Sequence, residues 1–222
     1  MVVNKPAGLV CHGARPDGDG SLIDRLRRHT GDREVRLVNR LDRETSGLVV
    51  VARSAGVARE LGQVLASGGV DKSYHAIVHG HLGAARSIDE PLGPAAGSAV
   101  AIRDAVRVDG APARTEVRPV RCFQRADGLF TCVDVSPRTG RKHQIRIHLA
   151  HIGHPLVGDK IYGRDETIYL RFVTRSMTPA DWRALILPHH ALHAATLSFQ
   201  WRGRAWSFTA QPDPVFSAFS SS

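Results

Sequence analysis

The chain has 222 residues, with 30 lysines and arginines against 21 aspartates and glutamates, a formal net charge of +9 and a sequence pI of about 10.3. That length can bury a sizeable core, and the positive excess favours a polyanionic partner such as nucleic acid, although an arginine-biased composition alone would give the same charge. No apolar run approaches the roughly 20 residues that a bilayer span needs, and the amino terminus lacks the basic-then-apolar pattern of a secretory signal, so one cytoplasmic domain over 1–222 is expected.

In chain order, VVNKPAGLV opens with a strand-like apolar pair and a Pro6-Ala7-Gly8 turn. Ser21 with Asp24 three residues on is a helix-start signal, and Leu22, Ile23 and Leu26 give SLIDRLRRH one apolar side, which predicts a short helix. The loop around Asp42 leads into GLVVVA, a buried strand. Ser54 then caps a helix that turns Val57, Leu61, Val64 and Leu65 inward and stops at Gly68-Gly69. SYHAIVHG, TEVRPVRCF, LFTCVDVS, TLSFQW and AWSFTA read as strands, the last two joined in a hairpin by Arg202-Gly203-Arg204. The Gly-, Ala- and Pro-rich segment from Gly83 to Pro112 predicts an irregular crossing or a poorly paired hairpin. In TGRKHQIRIHLAHIGHP the residues Ile145, Leu149 and Ile152 fall at helical spacing and Gly153 and Pro155 are stop signals, so a helix is predicted there. Together these elements make an α+β domain on a largely antiparallel sheet.

Cys11, Cys122 and Cys132 are an odd number without C-x-x-C spacing, which suggests neither a disulfide framework nor a zinc site. His148, His151 and His154 form one histidine cluster and His189, His190 and His193 another, but neither matches the i, i+4 pair with an intervening glutamate of a zinc protease. Hydrogen-bonding or RNA-facing histidines are expected instead. Lysine occurs only at Lys5, Lys72, Lys142 and Lys160. In LVNRLDRETSGLVV, Asp42 stands between Arg40 and Arg43. Its commonest fate would be a solvated loop acid in weak ion pairs, yet a close arginine favours the ionised form by about one to three pKa units, which would poise it as nucleophile or base.

These segments carry a resemblance. NRLDRETSGLVVVARS resembles the H-R-L-D-x-x-T-S-G segment of RluA-type (RluA/RsuA family) RNA pseudouridine synthases. VVNKPAGLVCHG, DKSYHAIVHG and TGRKHQIRIHLAHIGHPLVGDKIYG resemble that family's other segments in the same order, from about residue 2 to residue 163, with a weaker echo in HHALHAATLSF. The resemblance implies a pseudouridine-synthase fold, with a mixed, largely antiparallel sheet flanked by helices and a central active-site cleft. It implies an isomerase without cofactor or metal, acting on uridine in structured RNA.

By the same resemblance the catalytic aspartate falls on Asp42, its preceding arginine on Arg40, the active-site tyrosine on Tyr74 two residues after Lys72, and a second arginine on Arg146. Arg146 would then hold Asp42 ionised, Tyr74 would stack on the uracil, and Arg40, Lys72, Lys5 and Lys142 would contact RNA. The histidine usual before R-L-D is Asn39 here, and an amide cannot carry charge. A monomer is expected, without the small basic RNA-binding module that many relatives carry in front. Recognition would then be limited to a short stem-loop of ribosomal (large-subunit) or transfer RNA. Two competing readings are a non-catalytic RNA-binding protein, and a metal-dependent nuclease that uses the histidine clusters.

Overall fold

A computed structural model describes residues 1–13 and 20–221 of the protein. In chain order its elements are β1 (Val2–Lys5), α1 (Leu22–Thr30), β2 (Arg36–Leu37), β3 (Ser46–Ala52), α2 (Ala55–Ala66), β4 (Val70–His79), β5 (Arg86–Asp89), β6 (Leu92–Pro94) and β7 (Asp104–Val106). There follow β8 (Arg114–Arg125), β9 (Gly128–Pro137), α3 (Gln144–His151), α4 (Thr167–Val173), α5 (Pro179–Leu185), β10 (Leu192–Trp201), β11 (Arg204–Thr209) and α6 (Pro214–Ser221). The chain divides into two compact units, Met1–Ser73 with His193–Pro214, and Tyr74–Leu192 with Val215–Ser222.

In the first unit β3 is the organising strand. It pairs antiparallel with β1 and β2 and parallel with β10, which turns back as a hairpin into β11. All seven residues of SGLVVVA are buried, because both faces of the strand are covered. Alternate side chains serve the two sides: Val49 and Val51 pack with Leu22, Ile23, Leu26 and Val35, whereas Leu48 and Val50 pack with Leu61, Leu197 and Phe199. The expected capping of α1 is present, with the Ser21 N–H and hydroxyl donating to Asp24 Oδ2 at 2.9 and 2.7 Å. Ser54 likewise accepts from the Val57 N–H at 3.3 Å, and Val57, Leu61 and Val64 of α2 face the core.

The Thr45-Ser46-Gly47 stretch is explained by the parallel pairing, in which Ser46 opposes His193 and Gly47 opposes Ala194. Gly47 has φ 114°, and a Cβ there would lie 2.3 Å from the Ala194 carbonyl oxygen. Only glycine tolerates both the left-handed backbone and that approach. Beside it, the Ser46 hydroxyl meets His193 Nδ1 at 2.8 Å, and His193 Nε2 meets the Ala210 carbonyl at 3.0 Å. A carbonyl can only accept, so Nε2 carries a proton.

In the second unit β4, β9, β8 and β5 form an antiparallel run in that order. The segment from Gly83 to Pro112 is more regular than its composition predicts. Residues Arg86–Asp89 add β5 to the sheet beside β8, and β6 and β7 pair as a small separate sheet. Helix α3 forms where predicted, and Gly153, at φ 82°, follows its end. It is buried on two sides: Ile145 and Leu149 pack with Ala76, Val117, Val133 and Val135, while Ile147 packs with Leu92, Val100, Ile161 and Tyr162. Helices α4, α5 and α6 lie outside the sequence expectations. Of these, α5 starts with a capping box between Thr178 and Asp181 and has Pro179 in its first turn, and α6 buries Phe216 and Phe219 with Phe123 and Phe130. No helix among the described residues is long and apolar enough to cross a membrane.

Gly47→Ala should lower the unfolding free energy by about 2–5 kcal/mol, combining backbone strain with overpacking against β10. Urea titration would show this as a lower midpoint at unchanged slope.

Candidate active site

Asp42 occupies a turn without regular secondary structure, its carbonyl accepting from the Thr45 N–H at 3.2 Å. The turn is held from several sides. Lys5, at the end of β1 and 0% exposed, donates from Nζ to the carbonyls of Pro6 at 3.0 Å, Leu9 at 2.8 Å and Arg43 at 3.1 Å. An ammonium has three protons, and each finds an acceptor. Cys11 Sγ lies 3.4 Å from both the N–H and the carbonyl oxygen of Leu41, and Arg43 Nε donates to the Gly8 carbonyl at 3.2 Å. Upstream, Asn39 behaves as a surrogate peptide: its Oδ1 accepts from the Val50 N–H at 2.7 Å and its Nδ2 donates to the Leu48 carbonyl at 3.4 Å. The loop after β1 and the loop before β3 are thereby laced together, with the Asp42 side chain half-buried.

Burial pushes the Lys5 ammonium down to about 8, against the pull of Cys11 and Asp42, which favour its charge. This corrects the expectation that Lys5 contacts RNA. A side chain with no exposed surface and three carbonyl partners is a clamp for the Asp42 turn, not a phosphate ligand. Of the other basic candidates in this unit, Arg40 is exposed and makes no ion pair among the described residues. Lys72 is half-buried at the start of β4, and burial lowers its pKa.

Tyr74, Arg146 and Lys142 belong to the second unit. Tyr74 opposes Val135 on β9 and packs, partly exposed, against the core cluster that includes Ile145 and Leu149 of α3. Arg146, on the same helix, is 4% exposed and has a partner that the sequence reading missed. Its Nε and Nη2 donate to Asp159 Oδ2 and Oδ1 at 2.7 and 2.9 Å, a bidentate fork. Asp159 Oδ1 also accepts from the N–H groups of Ile161 at 2.9 Å and Tyr162 at 3.0 Å. Burial acts against the Asp159 charge, and the Arg146 guanidinium more than offsets it, holding that carboxyl well below the usual carboxylate range. The Tyr162 ring covers the guanidinium, with 5.0 Å from Cζ to the ring centroid, and burial pushes the Tyr162 hydroxyl up to about 12. Lys142 is half-exposed and pairs with Asp104 at 2.8 Å.

The helix that carries Arg146 is itself anchored by polar side chains. Gln144 Nε2 donates to the Arg114 carbonyl and to Thr115 Oγ1, each at 2.9 Å, and its Oε1 accepts from Thr139 Oγ1 at 2.7 Å. One turn on, His148 Nδ1 meets Thr115 Oγ1 at 2.8 Å and its Nε2 meets the Glu90 carbonyl at 2.9 Å, and burial lowers its pKa. Both ring nitrogens of His148, like those of His193, are engaged in hydrogen bonds within the fold.

Comparison with known proteins decides the family. The model of the RNA pseudouridylate synthase family matches residues 1–151, which include Asp42, Tyr74 and Arg146. The chain belongs to the RNA pseudouridylate synthase family. It is 37% identical over 199 residues to a ribosomal large subunit pseudouridine synthase D of Nitrosomonas europaea, covering 87% of this chain and 53% of the relative. It is 40% identical over 166 residues to an uncharacterized RNA pseudouridine synthase of Chloroflexus aurantiacus, covering 72% and 51%. The chain thus spans about half the length of these curated relatives. Among solved structures, human RNA pseudouridylate synthase domain containing 1 superposes with a TM-score of 0.74 at 25% identity, over 96% of this chain and 79% of that one. The family's α+β fold, with its mixed sheet, is the one described above.

Two variants test the buried charges. Asp159→Asn should cost about 3–5 kcal/mol, because it leaves the Arg146 charge buried without its carboxylate. The Asp159 pKa is depressed in the folded protein, so its contribution is present above about pH 4, the ordinary range of an unfolded aspartate, and is lost on acidification. Chemical denaturation should therefore show a steeper loss toward low pH in the parent than in Asp159→Asn.

Lys5 has the same sign of linkage in a higher pH window. Its pKa is also depressed, so above about pH 8 the unfolded chain binds more protons than the folded one, and stability from this group rises until about pH 10.5. The stability difference between the parent and Lys5→Met, measured by urea titration, should therefore grow across that interval, by up to roughly 3 kcal/mol.

Proposed function

We propose that this chain isomerises uridine to pseudouridine in RNA, with Asp42 as the reacting carboxylate. The observation that carries the reading is the clamped Asp42 turn, held by Lys5, Cys11 and Arg43 inside the stretch matched by the family model. The reaction breaks the N1–C1′ bond of uridine, turns the uracil and rejoins it through C5, with nothing oxidised and nothing hydrolysed. Hydrolytic glycosidases generally use two carboxylates, one to protonate a poor leaving group and one to stabilise or attack the sugar. Uracil departs as a delocalised anion, so one carboxylate suffices. Whether Asp42 attacks C1′, attacks the ring or removes a sugar proton, each route needs an ionised carboxylate in a fixed position.

Arg146 and Tyr74 take the roles that the family resemblance gives them: Arg146 favours the ionised carboxylate, and Tyr74 stacks on the uracil and assists loss of the C5 proton. The Asp159 fork supports this for Arg146, since a guanidinium pinned along one edge is oriented before substrate arrives. The exposed cation Arg40, with Lys142 and Lys72, would grip phosphates. Relatives bearing the name ribosomal large subunit pseudouridine synthase D favour large-subunit ribosomal RNA as the substrate over transfer RNA. A loop uridine is the preferred target, because it is already partly unstacked and costs less than the usual few kcal/mol to flip.

Release of tritium from C5-labelled uridine in RNA measures the reaction. Asp42→Asn should lose more than about a thousandfold in turnover while staying folded and binding RNA within a few fold. Arg146→Lys should recover only part of the loss of Arg146→Ala, since a point charge cannot reproduce the planar fork. Appreciable turnover by Asp42→Asn would sink the assignment. Carbodiimide-blocked primer extension on total RNA from cells with and without the gene identifies the modified uridine.

A further inference from the structure

The first unit carries a charged feature that the proposed chemistry does not use. At the carboxyl end of α1 an open hollow of about 530 Å³ is lined by Arg27, Arg28, Gly31 and Arg33. All three arginines are exposed, and the chain bends through Gly31, at φ 67°, to bring Arg33 round to the two on the helix.

The acids nearest in sequence are committed elsewhere. Asp24 is bonded to Ser21 at the start of the helix and, one turn away, feels the charges of Arg27 and Arg28 without a close ion pair to either. Asp32 pairs with Arg53 at 3.5 Å and accepts from the Glu34 N–H at 2.9 Å, and Glu34 pairs with Arg36 at 3.1 Å. Arg27, Arg28 and Arg33 are left without an ion pair among the described residues. A helix carboxyl end presents about half a negative charge, which one cation answers, and Thr30 Oγ1 already donates to the Leu26 carbonyl at 2.8 Å. Three guanidinium groups around one hollow exceed that need, and Asp24 answers only part of the excess, which leaves a net positive hollow suited to a multivalent anion.

We propose that this hollow binds the RNA phosphate backbone, each arginine taking about one phosphate. Its size admits a stretch of sugar-phosphate chain, and guanidinium forks match phosphate oxygens in pairs. The proposal rests on the functional reading only in naming RNA as the polyanion. It makes the hollow an anchor that sets affinity and leaves the chemical step to Asp42.

The test is binding of a fluorescein-labelled RNA hairpin with a uridine-containing loop, followed by anisotropy across a salt series. The variant Arg27→Gln/Arg28→Gln/Arg33→Gln is compared with a charge-matched control, Arg59→Gln/Arg86→Gln/Arg204→Gln, which removes three exposed arginines elsewhere. The hollow variant should lower the slope of log K against log salt by about 2 and weaken binding at least about tenfold at low salt, and the control should change both much less. Equal effects of the two variants would overturn the proposal, reducing the hollow to part of a diffuse positive surface. The variant Arg27→Lys/Arg28→Lys/Arg33→Lys keeps the charge and should keep most of the slope, and thermal unfolding of all three checks that they fold. Inorganic phosphate at constant ionic strength should not displace the hairpin; displacement at sub-millimolar phosphate would assign the hollow to a free anion and overturn the RNA assignment. Pseudouridine formation is measured separately. Hollow-dependent binding by a parent chain that forms none would refute the catalytic reading and leave this one standing.

Discussion

Three carbonyl oxygens converge on one ammonium, and the geometry around Asp42 depends on that convergence. The segments after β1 and before β3 have no ladder of their own through the Asp42 turn, so their polar groups must be satisfied by other means. Lys5 does so with three bonds from a single atom, reaching carbonyls on both segments. Arginine, planar and larger, could not gather three converging acceptors in so small a space. In a chain where arginine supplies nearly all the positive charge, this accounts for a lysine at this position. Lys160 is a second buried lysine, 2% exposed, which donates to the Pro188 carbonyl at 2.6 Å and lies over the Phe172 ring.

The second unit solves a related problem with a salt bridge. Burying Arg146 would be prohibitive alone, and Asp159 makes it tolerable only because two backbone N–H groups share the load of the carboxylate. The pair therefore gives orientation more than stability. Gln144 and His148, on the same helix, fix its rotation against the backbone of β8 and of the segment at Glu90. Gln144, Arg146 and His148 on this helix are thus each placed by another group, and the aromatic face of Tyr162 covers Arg146.

What the sequence reveals and what it hides follow from range. Local signals are legible: the Ser21–Asp24 cap, the Ser54 cap, the all-apolar run of β3, the β10–β11 hairpin and the stop at Gly153 are all set by residues a few positions apart. Thr178-Pro179-Ala180-Asp181 has the same grammar and could have announced α5. The pairing of Arg146 with Asp159 leaves no such trace, since an aspartate between Gly158 and Lys160 reads as an ordinary turn acid. Lys5 misleads for a similar reason: beside a Pro-Ala-Gly turn it looks solvated, and only the packing of distant segments over it reveals its burial. The segment from Gly83 to Pro112 is poor in strand formers, yet β5 and β6 pair because neighbours supply the ladder, so tertiary context overrides propensity.

The parallel ladder of β3 with β10 also bears on how the protein is made. Ser46 and His193 are bonded to each other across 147 positions of chain. Strand β3 leaves the ribosome early, long before the β10 backbone that packs against Gly47. Non-local pairing of this kind is slow, because loop closure must precede any gain from the contact. Until β10 is synthesised, the Ser46–Gly47 end of β3 lacks its parallel partner, while β2 and Asn39 already cover the rest of that edge. The nascent chain is therefore most prone to mispairing in that interval, and the first unit, although it begins the sequence, is among the last parts to close.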